Sequence, residues 1–153
     1  MLELVLSPRP AKRGFLATLI VAAAIRVYLL WQYYCISSDG VVYLRAAGEF
    51  YRGDIAAGLS SVYPPGYPLL VAAVYPLIGE WELAGQLVSL LFGVLVLFPL
   101  YWIFAELFGE KVALFACLLA AISPLLALYS VHVRSESTYI FFCILNFLCW
   151  MSF

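Results

Sequence analysis

Apolar and polar positions fall into long blocks along this chain, and those blocks set its elements. Phe15 to Ile36 is almost wholly apolar. At about 20 residues such a run crosses the hydrocarbon core of a bilayer as a helix. A more polar stretch, Ser37 to Glu82, follows it. Leu83 to about Phe104 and Val112 to about Val131 are two further apolar blocks, joined by the tight polar turn Glu106-Leu-Phe-Gly109-Glu110-Lys111. A fourth block runs from Ser137 to Phe153 and is short for a full crossing. The pattern predicts an all-α integral membrane fold of about four transmembrane helices, at 15–36, 83–104, 112–131 and, as the start of a fourth, 137–153. Ser123-Pro124 predicts a kink in the third span, and Pro99 falls in the last turns of the second.

Inside residues 37–82 the period changes. Tyr43, Ala46, Ala47, Phe50 and Tyr51 recur at helical spacing, while Arg45, Glu49 and Arg52 fall elsewhere. This predicts a short amphipathic helix on the membrane surface, with Asp39 as its N-cap, Gly40 at its first position and Gly53 closing it. Arg45 and Glu49 are four apart and positioned to pair. Ile55 to Ser61 reads as a small-residue linker and Tyr63-Pro64-Pro65-Gly66-Tyr67-Pro68 as a rigid turn. Leu69 to Ile78 is too short for a span and reads as an interfacial or re-entrant helix. Loops of this length usually carry function.

Composition supports the membrane reading and narrows the function. Of 153 residues, 66% are hydrophobic and 11% charged, against roughly 45–50% and about 25% in a soluble domain. A net charge of −1 excludes a strongly basic nucleic-acid surface. Cys35, Cys117, Cys143 and Cys149 lack metal-ligand spacing and sit in apolar runs, so they read as small buried hydrophobes. Residues 1–14 hold Arg9, Lys12 and Arg13, which keep this tail in the cytoplasm by the positive-inside rule. The apolar run behind it exceeds the roughly 7–15 residues of a signal-peptide core. Trp31, Tyr33 and Tyr34 form an aromatic belt at its far end, so Asp39 emerges on the extracytoplasmic side. Arg26 lies within the span, where a charge costs at least about 2.5–3.5 kcal/mol, and is expected to face other helices.

Counting spans brings the chain out again at His132 to Glu136. Asp39 and Glu136 then share one side of the membrane with Arg45, Arg52, Asp54, Arg134 and the Tyr63–Pro68 turn. Carboxylates in such a place can take a proton from an acceptor or hold a divalent cation. Arginines can grip a phosphate with two donors. Plainer readings stand beside these: Asp39 and Glu136 as helix caps, Arg134 as an interfacial anchor, His132 as a belt residue. The candidate catalytic residues are Asp39 and Glu136, which are also the metal candidates. Arg45, Tyr63, Tyr67 and Arg134 are the candidates for substrate binding.

These residues also stand in a familiar order. Ser38-Asp39-Gly40-x-x-Tyr43-x-x-x-Ala47 after the first span, then Tyr63-Pro-Pro-Gly-Tyr-Pro-Leu-Leu70, resembles the GT-C superfamily of membrane glycosyltransferases. The resemblance continues through Leu87-Val-Ser-Leu-Leu-Phe-Gly93, Leu107-Phe-Gly109, Ser123-Pro124, Tyr129-Ser130 and Arg134-Ser-Glu136-Ser-x-Tyr139. Its nearest branch holds the protein O-mannosyltransferases and lipid A aminoarabinose transferases. The resemblance implies a polyprenyl-phosphate-linked sugar donor, a protein or lipid acceptor, and inversion at the sugar carbon. It implies Asp39 as general base in the first extracytoplasmic loop and Glu136 as a second acid, often with a divalent metal cation. It further implies interfacial helices that shape the donor cavity. Two positions depart from the family pattern: Gly40 replaces a second acid, and Tyr63 replaces His or Lys before the prolines. Family members have more spans and often a soluble C-terminal domain, so the chain is expected to be an N-terminal part, inactive alone. The competing class is a transporter or non-catalytic membrane subunit, in which Arg26 would line a solute path.

Overall fold

A backbone in hydrocarbon must satisfy its own hydrogen bonds, and the apolar blocks do so as helices. The computed structural model describes residues 12–32 and 36–151, and no strand occurs among them. The expectations for the tail before Lys12, for Tyr33, Tyr34 and Cys35, and for the last two residues lie outside the described residues. The helices are α1 (Lys12–Gln32), α2 (Ser38–Tyr51), α3 (Ile55–Leu59), α4 (Gly66–Ile78), α5 (Trp81–Leu95), α6 (Leu97–Phe108), α7 (Glu110–Ile122), α8 (Pro124–Tyr129) and α9 (Glu136–Met151).

Among the described residues, two stretches are long and apolar enough to cross a membrane, Arg13–Gln32 and Trp81–Phe108. The second joins α5 and α6 through Val96, which keeps right-handed helical angles. Pro99 cannot donate to the Leu95 carbonyl four residues back, so the helical ladder lapses there. The expected span at 83–104 is thus the middle of a longer stretch, with Pro99 well inside it. The expected third span divides. Ser123 turns to ψ 118, because the residue before a proline is pushed out of the helical region. That leaves α7 with 13 residues and α8 with 6. α9 has 16.

The loop is more helical than its composition implied. Residues 55–59, read as a linker, form α3, because the Asp54 carboxylate accepts the Ala57 N–H at 2.9 Å and caps it. α4 begins at Gly66 rather than at Leu69. Pro68 falls in its first turn, where a missing N–H costs nothing.

Two apolar clusters hold these helices. Phe15 and Ala22 of α1, Leu97 and Tyr101 of α6, and Ala113, Cys117 and Ala121 of α7 form one. Small residues every fourth position on α7 let the helix backbones approach closely. Tyr43 and Ala47 of α2, Tyr67 and Val71 of α4, Ala84 and Val88 of α5, and Val133 form the other. This second cluster docks the loop helices onto α5. Cys117 is buried as expected, whereas Cys143 and Cys149 are exposed. They lie on the part of α9 that also exposes Tyr139 and Trp150.

Arg26 faces the interior and is 1% exposed. Its Nε donates to Ser130 Oγ at 2.9 Å, and one terminal nitrogen donates to the carbonyls of Ala22 at 3.1 Å and Ala121 at 3.3 Å. In an unbroken helix the Ala121 carbonyl would accept from residue 125. The break at Ser123 removes that donor, and the guanidinium supplies another.

Candidate active site

The site begins with the cap of α2. Ser37 is extended, with φ −80° and ψ 162°, and its Oγ accepts the Gly40 N–H at 3.2 Å. Ser37, not Asp39, is therefore the N-cap. Asp39 already lies in the first helical turn, where a negative charge suits the helix dipole while the carboxylate is free to point elsewhere. Gly40 is buried at a tight contact. A Cβ there would come within 2.8 Å of Ile36 Cγ1 and 3.2 Å of both Val133 Cβ and the Val133 carbonyl oxygen. An acid at this position has no room, and the absence of a side chain presses the start of α2 against the segment leading to α9.

That approach brings distant residues onto Asp39. The Tyr63 hydroxyl donates to Asp39 Oδ1 at 2.9 Å. Arg134 Nη2 lies 3.5 Å from Asp39 Oδ2, although the two residues are 95 apart in the chain. Arg134 Nε lies 2.9 Å from Glu136 Oε1. One guanidinium thus joins both candidate carboxylates. Its central carbon sits 5.3 Å from the Tyr129 ring centroid, a cation–π contact. The side chains of Asp39, Arg134 and Glu136 are 37%, 31% and 33% exposed, so a ligand can reach each of them.

A tyrosine stack supports this triad. The Tyr43 ring lies 4.8 Å from Tyr63 and 5.1 Å from Tyr67, centroid to centroid. The Tyr43 hydroxyl shares a hydrogen bond with Ser135 Oγ at 2.8 Å. Tyr67 donates to the Gly85 carbonyl at 2.9 Å and sits 3.0 Å from Ser89 Oγ. Ser89 Oγ in turn donates to the Arg134 carbonyl at 3.0 Å, which pins the backbone carrying the guanidinium. The Tyr63 phenol is held above its ordinary pKa, first by the hydrogen bond it gives Asp39, then by burial and the Asp39 charge. Burial pushes the Tyr67 phenol up as well.

Asp39, Tyr43, Tyr63, Tyr67 and Glu136 line a cavity of about 770 Å³ together with the apolar side chains of Leu69, Leu70 and Phe142. A ligand with a polar head and an oily tail fits such a mixed lining. Of the predicted residues, Asp39, Glu136, Tyr63 and Arg134 come together. Tyr67 lines the same cavity, but its hydroxyl is committed to Gly85 and Ser89, so it braces the site. Arg45 does not join them. It lines a separate cavity of about 370 Å³ with Val42, Glu49, Ser60 and Ser61. Its expected pairing with Glu49 is replaced by Arg52, whose terminal nitrogen lies 3.0 and 3.1 Å from the two Glu49 oxygens. Arg52 sits one turn on, where a three-residue spacing also brings side chains together.

Tyr43, Ser135 and Tyr129 belong to the site, although the sequence marks them only as motif positions and not as site candidates. Tyr43 stands in the Ser38–Ala47 motif, but its helical spacing marked only the apolar face of a surface helix. His132 Nδ1 lies 2.8 Å from the Leu128 carbonyl, a local contact at the end of α8. As for a divalent cation, Asp39 and Glu136 have the Arg134 guanidinium between them. No group of three or more His, Cys, Asp or Glu side chains converges among the described residues. This donor set does not fit a metal, because the positive charge is already supplied where the cation would sit.

Residues 62–153 match the family model described as dolichyl-phosphate-mannose-protein mannosyltransferase. The matched stretch includes Tyr63, Arg134 and Glu136, while Asp39 precedes it. No curated protein and no solved structure matches the chain.

Proposed function

The chain belongs to the dolichyl-phosphate-mannose-protein mannosyltransferase family of GT-C-type membrane glycosyltransferases, and from that we propose an inverting sugar transfer centred on Asp39. The donor is a polyprenyl-phosphate-linked sugar of the mannosyl type, and the acceptor a protein hydroxyl, with a lipid acceptor as the variant. Asp39 takes the proton of the acceptor hydroxyl as its oxygen attacks the anomeric carbon. The bond from that carbon to the phosphate oxygen breaks, and polyprenyl phosphate leaves with the bonding electrons. Arg134 turns its remaining N–H donors to the phosphate and stabilises the charge that develops there. Glu136 orients Arg134, and Tyr63 fixes the Asp39 carboxylate while leaving it lone pairs to accept with. The donor tail lies along Leu69, Leu70 and Phe142.

The observation that carries this reading is the single guanidinium of Arg134 joining Asp39 and Glu136, two carboxylates that line one cavity with Leu69, Leu70 and Phe142. We place the site on the extracytoplasmic face and the N-terminus in the cytoplasm, in a bundle of about four spans, and we expect the 153 residues alone to lack transfer. A transporter reading finds no support at Arg26: the cavity beside it holds about 10 Å³, room for roughly one water.

The test uses the full-length protein with a polyprenyl-phosphate-mannose donor. Asp39→Asn is expected to lower turnover by about 10²–10⁴-fold with donor binding retained. Unchanged turnover would remove Asp39 from the role of base.

A further inference from the structure

The second cavity, on the far side of the 60–64 strap from Asp39, has a chemistry of its own. Arg45 lines it, and because Arg52 takes both Glu49 oxygens, the Arg45 guanidinium makes no hydrogen bond or ion pair among the described residues. Two serines stand on the strap. Ser60 Oγ donates to the Ala57 carbonyl at 2.7 Å. Ser61 Oγ accepts the Tyr63 N–H at 3.4 Å, which leaves its own proton to give away. Arg45 is exposed, and its guanidinium lines one cavity with a hydroxyl free to donate, a pair that suits an anion with oxygen acceptors.

The surroundings say which anion. Val42 and Val62 line the cavity, and Val62 is 92% exposed. Ile55 and Leu59 of the adjoining α3 are also exposed. Glu49 also lines the pocket but is paired with Arg52, so the open aliphatic side chains stand beside the Arg45 charge, a combination that suits a lipid surface. A soluble phosphate would use the guanidinium and waste the apolar surface. An acidic peptide would want backbone partners that the valines do not offer.

We propose that this cavity holds the phosphodiester headgroup of an anionic membrane phospholipid, with Arg45 and Ser61 as donors and Val42, Val62 and Leu59 against its acyl chains. The site is distinct from the donor cavity, since Val62 faces one and Tyr63 the other. It rests on the loop lying at the membrane surface and not on sugar transfer.

The experiment is native mass spectrometry of the full-length protein released from detergent micelles doped with phosphatidylglycerol. One phosphatidylglycerol is expected to stay bound per chain. Arg45→Gln should lower that occupancy roughly tenfold, about 1.4 kcal/mol of affinity, and Arg45→Lys should keep most of it. Asp39→Asn should leave it unchanged, so failure here and failure of the catalytic reading are separable. Inorganic phosphate or a Glu-rich peptide displacing the lipid at equal concentration would overturn the lipid assignment. Displacement by polyprenyl phosphate at equal concentration would make this the donor cavity and overturn it too. Unchanged retention in Arg45→Gln would do the same.

Discussion

The Tyr63 hydroxyl donates a hydrogen bond to Asp39 Oδ1 at 2.9 Å, across 24 residues of chain. With Arg134 near the other oxygen, both ends of the carboxylate are located before any substrate arrives. A general base works when its lone pairs point at the proton it takes. Tyr63 therefore contributes orientation and not chemistry.

Tyr63→Phe tests this directly. The ring remains against Tyr43 while the hydroxyl goes, so kcat should fall roughly tenfold with KM and thermal melting little changed. A fall in KM-dependent binding alone would contradict an orienting role.

The same bond predicts a titration. A raised folded pKa means that the Tyr63 proton is held more tightly than in the unfolded chain. Its stabilising contribution is complete below the free-tyrosine value of about 10 and is lost only as pH rises through the higher folded value. Phenolate absorbance, taken as wild type minus Tyr63→Phe, should show this tyrosine ionising above the free value. In Asp39→Asn the titration should move back toward it.

Arg134 bridges two carboxylates through different nitrogens, a geometry that lysine cannot copy. Arg134→Lys should lose transfer by at least about tenfold, and Arg134→Gln by about 10²–10³-fold. Steady-state assays of the full-length protein compare them. Equal activity of the Lys variant would show that only a point charge is needed.

At Arg26 the sign depends on which partner is removed. Ser130→Ala leaves a buried guanidinium nitrogen without its acceptor, at a cost of about 1.5–3 kcal/mol. Arg26→Met removes the cation altogether, and the relief from burying a charge offsets much of the lost bonding. Thermal unfolding in detergent should therefore rank Ser130→Ala as the more damaging change.

Gly93→Ala sets helix propensity against space. Alanine gains about 0.8–1.0 kcal/mol in a helix interior. Here, however, its Cβ would meet Ser130 Cβ and lie 2.7 Å from Ser130 Oγ. Overpacking of this kind costs about 1–3 kcal/mol, so net destabilisation is expected, visible as a lower melting temperature.

Much of this architecture could be read along the chain. Block hydropathy marked the membrane helices, since a run of apolar residues has few other ways to fold. The spacing at Tyr43, Ala46 and Ala47 marked the buried face of α2, because helical period is local. Boundaries were less legible where capping decided them. Ser37 and Asp39 are both good caps by type, and only backbone geometry separated them. Asp54 made a helix of residues that looked like a linker. The Arg45–Glu49 pair failed because Arg52 lay equally within reach of the same carboxylate, a competition that spacing alone cannot resolve.

By itself the sequence determined an oily, all-helical chain with most of its few charges outside the long apolar blocks and Arg26 as the exception. It also supplied the ordered motifs that tie it to its family. It did so because burial, helical period and proline geometry act over short stretches. The tertiary structure decided which charges meet. It brought Arg134 between Asp39 and Glu136, committed Tyr67 to the interior and put Arg45 on the other side of a strap. Those outcomes depend on how closely α2 approaches the segment before α9, and that distance is set by Gly40 against Val133, a contact between residues far apart in the chain.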